Sequence, residues 1–289
     1  LMLEIGAAAE AVNKLQLSVI SIYMGGGTPT TLSAQQLDRL CSRLEDSFDL
    51  SHLREYTVEA GRPDTIALDK LRTLRAHGVD RISVNPQTMS DEILNVIGRR
   101  HSAQDIIDAF SAVRSVGGMA VNMDLIAGLP ADSAEGFEKT LDTVIGLDPE
   151  NITVHTLSLK KGSRITLEGS AIPGESEVGR MLDTAAERLR GGGWAPYYLY
   201  RQKFMSGGFE NVGWAKPGSE NIYNICIMEE LCSIVALGGG GSTKLISPDG
   251  GRNIRFFAPK YPSEYISGIQ KTCHDKQGII DFYSKESKK

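Results

Sequence analysis

The run Ser18-Val-Ile-Ser-Ile-Tyr-Met24 passes directly into Gly25-Gly-Gly-Thr-Pro-Thr30, and this junction decides the fold class. A short apolar, β-branched run ended by glycines reads as a strand delivering into a sharp turn. Three glycines open φ values closed to other residues and let a ligand approach the backbone, although a plain tight turn uses the same residues. No Lys follows the triplet, which excludes a Walker phosphate loop. Four further strand-like runs follow, at Glu55 to Ala60, Arg81 to Pro86, Ala120 to Ile126 and Asn151 to Leu159, with amphipathic segments between them. That alternation predicts βα units on a parallel sheet, either barrel-like or open and doubly wound.

The intervening segments carry helix signals. Ser33 with Gln36, Ser102 with Asp105 and Asp132 with Glu135 have capping-box spacing, and Pro63 suits a first turn. Gly78 and Gly117 fall where helices should stop, as left-handed C-terminal caps. After a helix from Glu175 to Leu189, the triplet Gly191 to Gly193 precedes the aromatic stretch Trp194-Ala-Pro-Tyr-Tyr-Leu-Tyr200. A domain boundary is expected there, dividing the chain into 1–190 and 191–289. The polar tail Ser284 to Lys289 is expected to be mobile.

Bulk properties narrow the function classes. The chain has 289 residues, 41% hydrophobic and 23% charged, enough apolar material for one large domain or a domain with an appendage. A formal net charge of -5 argues against a partner bound by broad phosphate neutralisation, so no nucleic-acid partner is expected. Cys41, Cys226, Cys232 and Cys273 show neither C-x-x-C spacing nor the density of a disulfide scaffold. No apolar run approaches the roughly 20 residues of a membrane span, and a cytoplasmic location is the expectation. The chain opens on Leu1 and immediately reads as helix through Leu15, from which an N-terminal truncation is inferred.

Polar residues interrupt the apolar strands near their C-terminal ends: Glu59 in Thr57-Val-Glu-Ala60, Gln87 in Ser83-Val-Asn-Pro-Gln87, and Asp124 in Asn122-Met-Asp-Leu-Ile-Ala-Gly-Leu-Pro130. A carboxylate is costly to bury alone, so pairing with Arg62 or Arg81 is the structural reading of Glu59. If the strands are parallel neighbours, these acceptors converge beside the glycine triplet, where they could hold an amino group and ribose hydroxyls. Arg99 in Gly98-Arg-Arg-His101 could take a carboxylate in bidentate fashion. For His101 and His155, capping or packing is the commoner role.

Together, Gly25-Gly-Gly-Thr-Pro29, Thr57 to Ala60, Arg81-Ile-Ser-Val-Asn-Pro-Gln87, Gly98 to His101 and Asn122 to Pro130 resemble the core of the oxygen-independent coproporphyrinogen III oxidases, which are radical S-adenosylmethionine (SAM) enzymes. Pro196-Tyr-Tyr-Leu-Tyr-Arg-Gln-Lys203 and Glu210-Asn-Val-Gly-Trp-Ala-Lys-Pro-Gly218 resemble the Gram-positive coproporphyrinogen dehydrogenase branch. The resemblance implies an α/β fold, a partial parallel (β/α) barrel of the radical SAM type with a C-terminal α+β extension covering the substrate. It implies SAM contacts at Gly26, Gly27, Thr28, Glu59, Gln87, Arg99, Asp124 and Ser158, and a glycine-rich approach to the active site at Gly238 to Gly241.

The implied chemistry is oxidative decarboxylation of coproporphyrinogen III to protoporphyrinogen IX. A SAM-derived 5′-deoxyadenosyl radical abstracts hydrogen from a propionate, and loss of carbon dioxide leaves a vinyl group. An electron donor is implied too, and Lys160, Arg164, Arg201 and Lys203 are candidates for binding propionates, with solvated surface charge as the alternative. The family's C-x-x-x-C-x-x-C motif, source of three thiolates for a [4Fe–4S] cluster, is missing from the 289 residues. The fragment alone is therefore expected to be inactive. A haem-chaperone-like relative and a non-catalytic SAM-binding remnant are the competing readings.

Overall fold

The computed structural model describes residues 1–158, 171–201 and 206–286. The chain forms two compact units, each assembled from separated stretches. One comprises Leu1–Ile22, Gln35–Glu55 and Ile222–Lys289, and the other Tyr23–Ala34 and Tyr56–Asn221.

The main sheet contains β1 (Ser21–Met24), β2 (Glu55–Glu59), β3 (Arg81–Ser83), β4 (Ala120–Ala127), β5 (Asn151–Thr156), β6 (Ala195–Tyr200) and β7 (Asn211–Ala215), in the order β1-β2-β3-β4-β5-β7-β6. Strands β2 to β5 are parallel neighbours, with Glu59 opposite Ser83, Ser83 opposite Asn122, and Asn122 opposite Asn151. The last two strands join antiparallel, β7 on β5 and β6 on β7. The residues that alternation marked as strands are these strands, trimmed at their ends. The aromatic stretch after Gly193 also belongs to this sheet.

Side-chain alternation along β4 shows how the sheet is used. Val121, Met123, Leu125 and Ala127 are buried, while Ala120, Asn122, Asp124 and Ile126 are half-buried on the opposite face. The connecting helices are α3 (Leu68–Ala76), α4 (Asp91–Val96), α5 (Ala103–Val116), α6 (Ala134–Leu147) and α7 (Glu175–Gly191). They contribute Leu71, Leu74, Ile106, Phe137, Leu141 and Met181 to the unit's core. Burial of one face leaves the other free for polar groups.

The other unit holds α1 (Met2–Lys14), α2 (Ala34–Ser47), α8 (Ile222–Met228), the hairpin of β8 (Ser242–Ile246) and β9 (Asn253–Phe257), and the helices α9 (Pro262–Ser267), α10 (Ile269–Asp275) and α11 (Gln277–Glu286). Ala11, Leu245, Ile279, Ile280 and Phe282 form its apolar cluster. Glu4 is fully buried there, 2.9 Å from Lys276 Nζ, and accepts from Tyr265 Oη at 2.6 Å and Gly238 N–H at 2.8 Å. Gly238 of the glycine-rich loop is thus tied within this unit. The tail expected to be mobile is helical through Glu286.

Two capping expectations need correction. Asp132 does not cap α6; Ser133 does, accepting from Gly136 N–H at 3.1 Å. Gly117 ends α5 at φ 74 and ψ 168, a positive φ that favours glycine but outside the left-handed helical well. Ser102 and Asp105 do form the reciprocal box.

Leu125 is wholly buried in β4, so Leu125→Ala should lose about 2–5 kcal/mol, seen in urea unfolding as a lower midpoint at unchanged slope. Asp132 offers a pH test. Burial lifts its carboxyl from 3.8 to about 6, opposed by the Ser133 N–H and assisted by Glu177. The folded state therefore binds the proton more tightly than the unfolded chain. The associated stability, about 3 kcal/mol, is present below pH 3.8 and lost as pH rises through about 6. Asp132→Asn should flatten that part of the stability–pH curve in urea melts and be more stable than wild type at pH 8.

Candidate functional site

The turn after β1 is shaped around a carboxylate. Glu59, at the end of β2, accepts from the Tyr23 hydroxyl and from Gly26 N–H at 3.2 Å. A Cβ on Gly25 would lie 2.7 Å from Glu59 Cδ and 2.6 Å from Tyr23 Cε1, so only glycine allows the carboxylate to lie against the turn. Gly26 sits at φ +90 with open space where a side chain would be, and Gly27 is equally open. The amides of Gly27 and Thr28 have no hydrogen-bond partner among the described residues, while Thr28 C=O accepts from Thr31 N–H at 2.9 Å. Two backbone donors therefore remain available beside the Glu59 carboxylate.

Glu59 pairs with neither arginine considered from the sequence. Arg62 binds Asp64 at 2.6 Å on the surface. Arg81, buried at 6% exposure, donates to the Asn151 side chain and to Ser219 C=O at 2.9 Å. The structural partners of both arginines lie elsewhere, which leaves Glu59 to the turn.

Gln87 follows β3 at φ 67, a strained conformation for a residue with a Cβ, at a cost of order 1–2 kcal/mol. Two backbone hydrogen bonds at 2.9 Å hold it, from Gln87 N–H to Asp124 C=O and from Ile126 N–H to Gln87 C=O. The kink is built into the sheet beside Asp124. Two residues before Gln87, Asn85 Oδ1 is buried without a hydrogen-bond partner among the described residues.

Asp124 lies opposite Thr153 on β5. Its Oδ1 accepts from Asn122 Nδ2 at 2.8 Å, and its Oδ2 is 3.7 Å from His155 Nε2. Burial alone would raise this carboxyl, but the neighbouring His155, then Asn122 and Thr153, outweigh it and hold Asp124 below the ordinary carboxylate range. Tyr200 Oη is 3.2 Å from His155 Nδ1, and Tyr198 Oη is 3.5 Å from Thr153 Oγ1. The rings of Tyr198 and Tyr200 are parallel at 6.2 Å. Tyr198 lies over Gly213, where a Cβ would overlap its ring at 1.8 Å.

Arg99, after α4, is half-buried with no ion-pair partner among the described residues. Burial and the nearby Arg62 lower its pKa, so the cation gains from any anion that arrives. His101 beside it is 8% exposed with Nε2 unpartnered, its pKa lowered by burial and then by Arg99. Ser158 is half-buried just beyond β5. Arg201 forms an exposed pair with Glu210 at 3.3 Å, the surface role weighed for it. Lys160, Arg164 and Lys203 lie outside the described residues.

Glycine backbone, carboxylate and amide groups thus stand at or just beyond the ends of neighbouring strands, and the Arg99 guanidinium follows α4. Residues 3–144 match the radical SAM superfamily model. It is 42% identical over 276 residues to the oxygen-independent coproporphyrinogen-III oxidase-like protein HemZ of Bacillus subtilis, covering 94% of this chain and 55% of that protein. It is 31% identical over 213 residues to the heme chaperone HemW of the same organism, covering 71% of this chain and 52% of that protein. The fold matches coproporphyrinogen III oxidase (HemN) from Escherichia coli, a radical SAM enzyme, with a TM-score of 0.73 and 21% identity, over 94% of this chain and 62% of that one. The chain spans about half the length of the curated relatives it matches. Its resemblance is to the oxygen-independent coproporphyrinogen III oxidase-like proteins.

The residues present fit SAM. Open backbone at Gly26 and Gly27, the unpartnered Asn85 oxygen and the unpaired Arg99 are the complements that an adenosine bearing amino and carboxylate groups requires. They do not fit an iron–sulfur cluster. No group of three His, Cys, Asp or Glu side chains among the described residues could hold a metal. Cys41 is buried on α2; Cys226 and Cys232 are close enough to interact, which together with burial pushes the Cys226 thiol up to about 11. Sequence reading missed His155, Tyr198 and Tyr200 as members of the site. The aromatic Pro196 to Tyr200 run was the available signal, but nothing local shows that it returns to β5 through β7.

Gly25→Ala should cost about 1–3 kcal/mol in urea unfolding and displace Glu59. Hydrogen exchange at the Gly26 amide, protected in the wild type by the bond to Glu59, should then accelerate.

Proposed function

We propose that the chain is the SAM-binding core of an oxygen-independent coproporphyrinogen III oxidase, contributing to conversion of coproporphyrinogen III to protoporphyrinogen IX in haem biosynthesis. The observation that carries this reading is that Glu59 on β2, Gln87 just beyond β3 and Asp124 on β4 come from neighbouring parallel strands, with Glu59 against an open glycine turn. The similarity to HemZ supports the substrate class. Gly27 and Thr28 offer amides, Glu59 and Asp124 accept from hydroxyl or amino groups, Gln87 and Ser158 line the pocket, and Arg99 takes the carboxylate. SAM, when bound and given one electron from a donor outside this chain, would supply a carbon radical that abstracts hydrogen, with methionine as the leaving group. The protein's part is to bind, orient and exclude water.

In this reading the residues that would contact SAM lie within 1–190, with Tyr198 and Tyr200 buttressing them from β6, and 191–289 cover the tetrapyrrole. A cytoplasmic location and a reducing electron donor belong to the same proposal; no helix among the described residues is long and apolar enough to cross a membrane. The similarity to HemW favours a second reading as a haem-handling relative.

Calorimetry with SAM, and fluorescence titrations of Trp194 and Trp214 with coproporphyrin III and with haemin, separate these readings. Saturable SAM binding is expected, weakened about 10- to 100-fold by Arg99→Met, together with coproporphyrin III bound in preference to haemin. Preferential stoichiometric haemin binding would establish the second reading, and absence of SAM binding would overturn both. With no cluster ligands among its cysteines, the chain alone should form no vinyl product from coproporphyrinogen III under anaerobic reduction.

A further inference from the structure

Asp124 is braced by Asn122 on its own strand and by His155 on β5. Its Oδ1 is occupied by Asn122, its neighbour on β4, and its Oδ2 faces His155 Nε2 at 3.7 Å. The second ring nitrogen of His155 meets the Tyr200 hydroxyl at 3.2 Å, and the His155 and Tyr200 rings stand edge-on at 71°. An imidazole engaged at both nitrogens cannot turn without losing both contacts, so its tautomer and its direction are set together.

Tyr200 is itself placed by its surroundings. It follows Tyr198 by two residues on β6, the rings lie parallel, and Tyr198 rests where Gly213 has no side chain. The chain of contacts runs from a glycine on β7, through two tyrosines and one histidine, to the carboxylate on β4. The groups that face His155 are Asp124 from β4 and Tyr200 from β6.

We propose that His155, held by Tyr200, is a positioning residue that keeps the Asp124 carboxylate aimed for the hydroxyl or amino groups of the bound cofactor. This rests on the SAM-binding reading above. The 3.7 Å separation is longer than a hydrogen bond, and it closes when a cofactor group engages the carboxylate, as site contacts commonly tighten on binding. The role needs a donor at Nε2 and does not need the imidazole as such.

The test is SAM calorimetry on the whole chain at pH 7.5, with melting curves for every variant. His155→Leu should weaken SAM binding about tenfold, a loss like that of Asp124→Asn, while His155→Gln, which presents an amide N–H, recovers most of it. The double variant Asp124→Asn with His155→Leu should bind no more weakly than either single one. Tyr200→Phe keeps the ring and should weaken binding about fivefold; it serves as the probe if His155→Leu fails to fold. Wild-type affinity in His155→Leu, no recovery in His155→Gln, or additive losses in the double variant would overturn the proposal and leave the SAM reading intact. Failure of the wild type to bind SAM would overturn that reading and this one with it.

Discussion

The in-register parallel pairing of β2, β3, β4 and β5 is the constraint on which the site depends. It fixes Glu59 opposite Ser83 and Asp124 opposite Thr153, so side chains distant in sequence reach one edge of one sheet. A parallel ladder needs a long crossover between strands, and the helices that provide it cover one face with apolar side chains. Register is strongly specified because a one-residue slip would turn Met123 and Leu125 outward and Asp124 inward. The same alternation that buries the core thus delivers the polar groups.

Local features at the site oppose stability and are held by the sheet. Gln87 keeps a left-handed backbone because β4 provides hydrogen bonds on both sides of it. Asp124 keeps its charge in a half-buried position because Asn122 and His155 surround it. Arg99 remains without a carboxylate among the described residues, a cost that a bound anion would remove. Strained or underpaired groups gathered at one edge of a well-packed scaffold are what binding sites require.

Much of this was legible in the sequence because the relevant signals are local. Strand, turn and cap residues repeat at βα spacing, and Glu59, Gln87 and Asp124 stand out because polar residues interrupt apolar runs. What stayed hidden depends on long-range placement. The tie between Glu59 and Gly26 N–H needs Gly25 to lack a Cβ, which no spacing rule reveals. Pro196 to Tyr200 stands out in the sequence only as part of an aromatic stretch; its place as a strand at the sheet edge depends on antiparallel pairing through β7 and on a register shift between Pro196 and Tyr198. The cap of α6 fell one residue from its expected place because Asp132 and Ser133 are both good caps, and burial decides between them.

Hydrogen–deuterium exchange of the whole chain with and without SAM tests most directly whether the strand ends form one cofactor site. Slowed exchange should appear together at Tyr23 to Thr31, at Glu59 to Arg62, around Gln87 and at Asp124 to Ala127, with the outer helices α6 and α7 unchanged. Slowing confined to α6 and α7, or none in the presence of saturating SAM, would contradict the account.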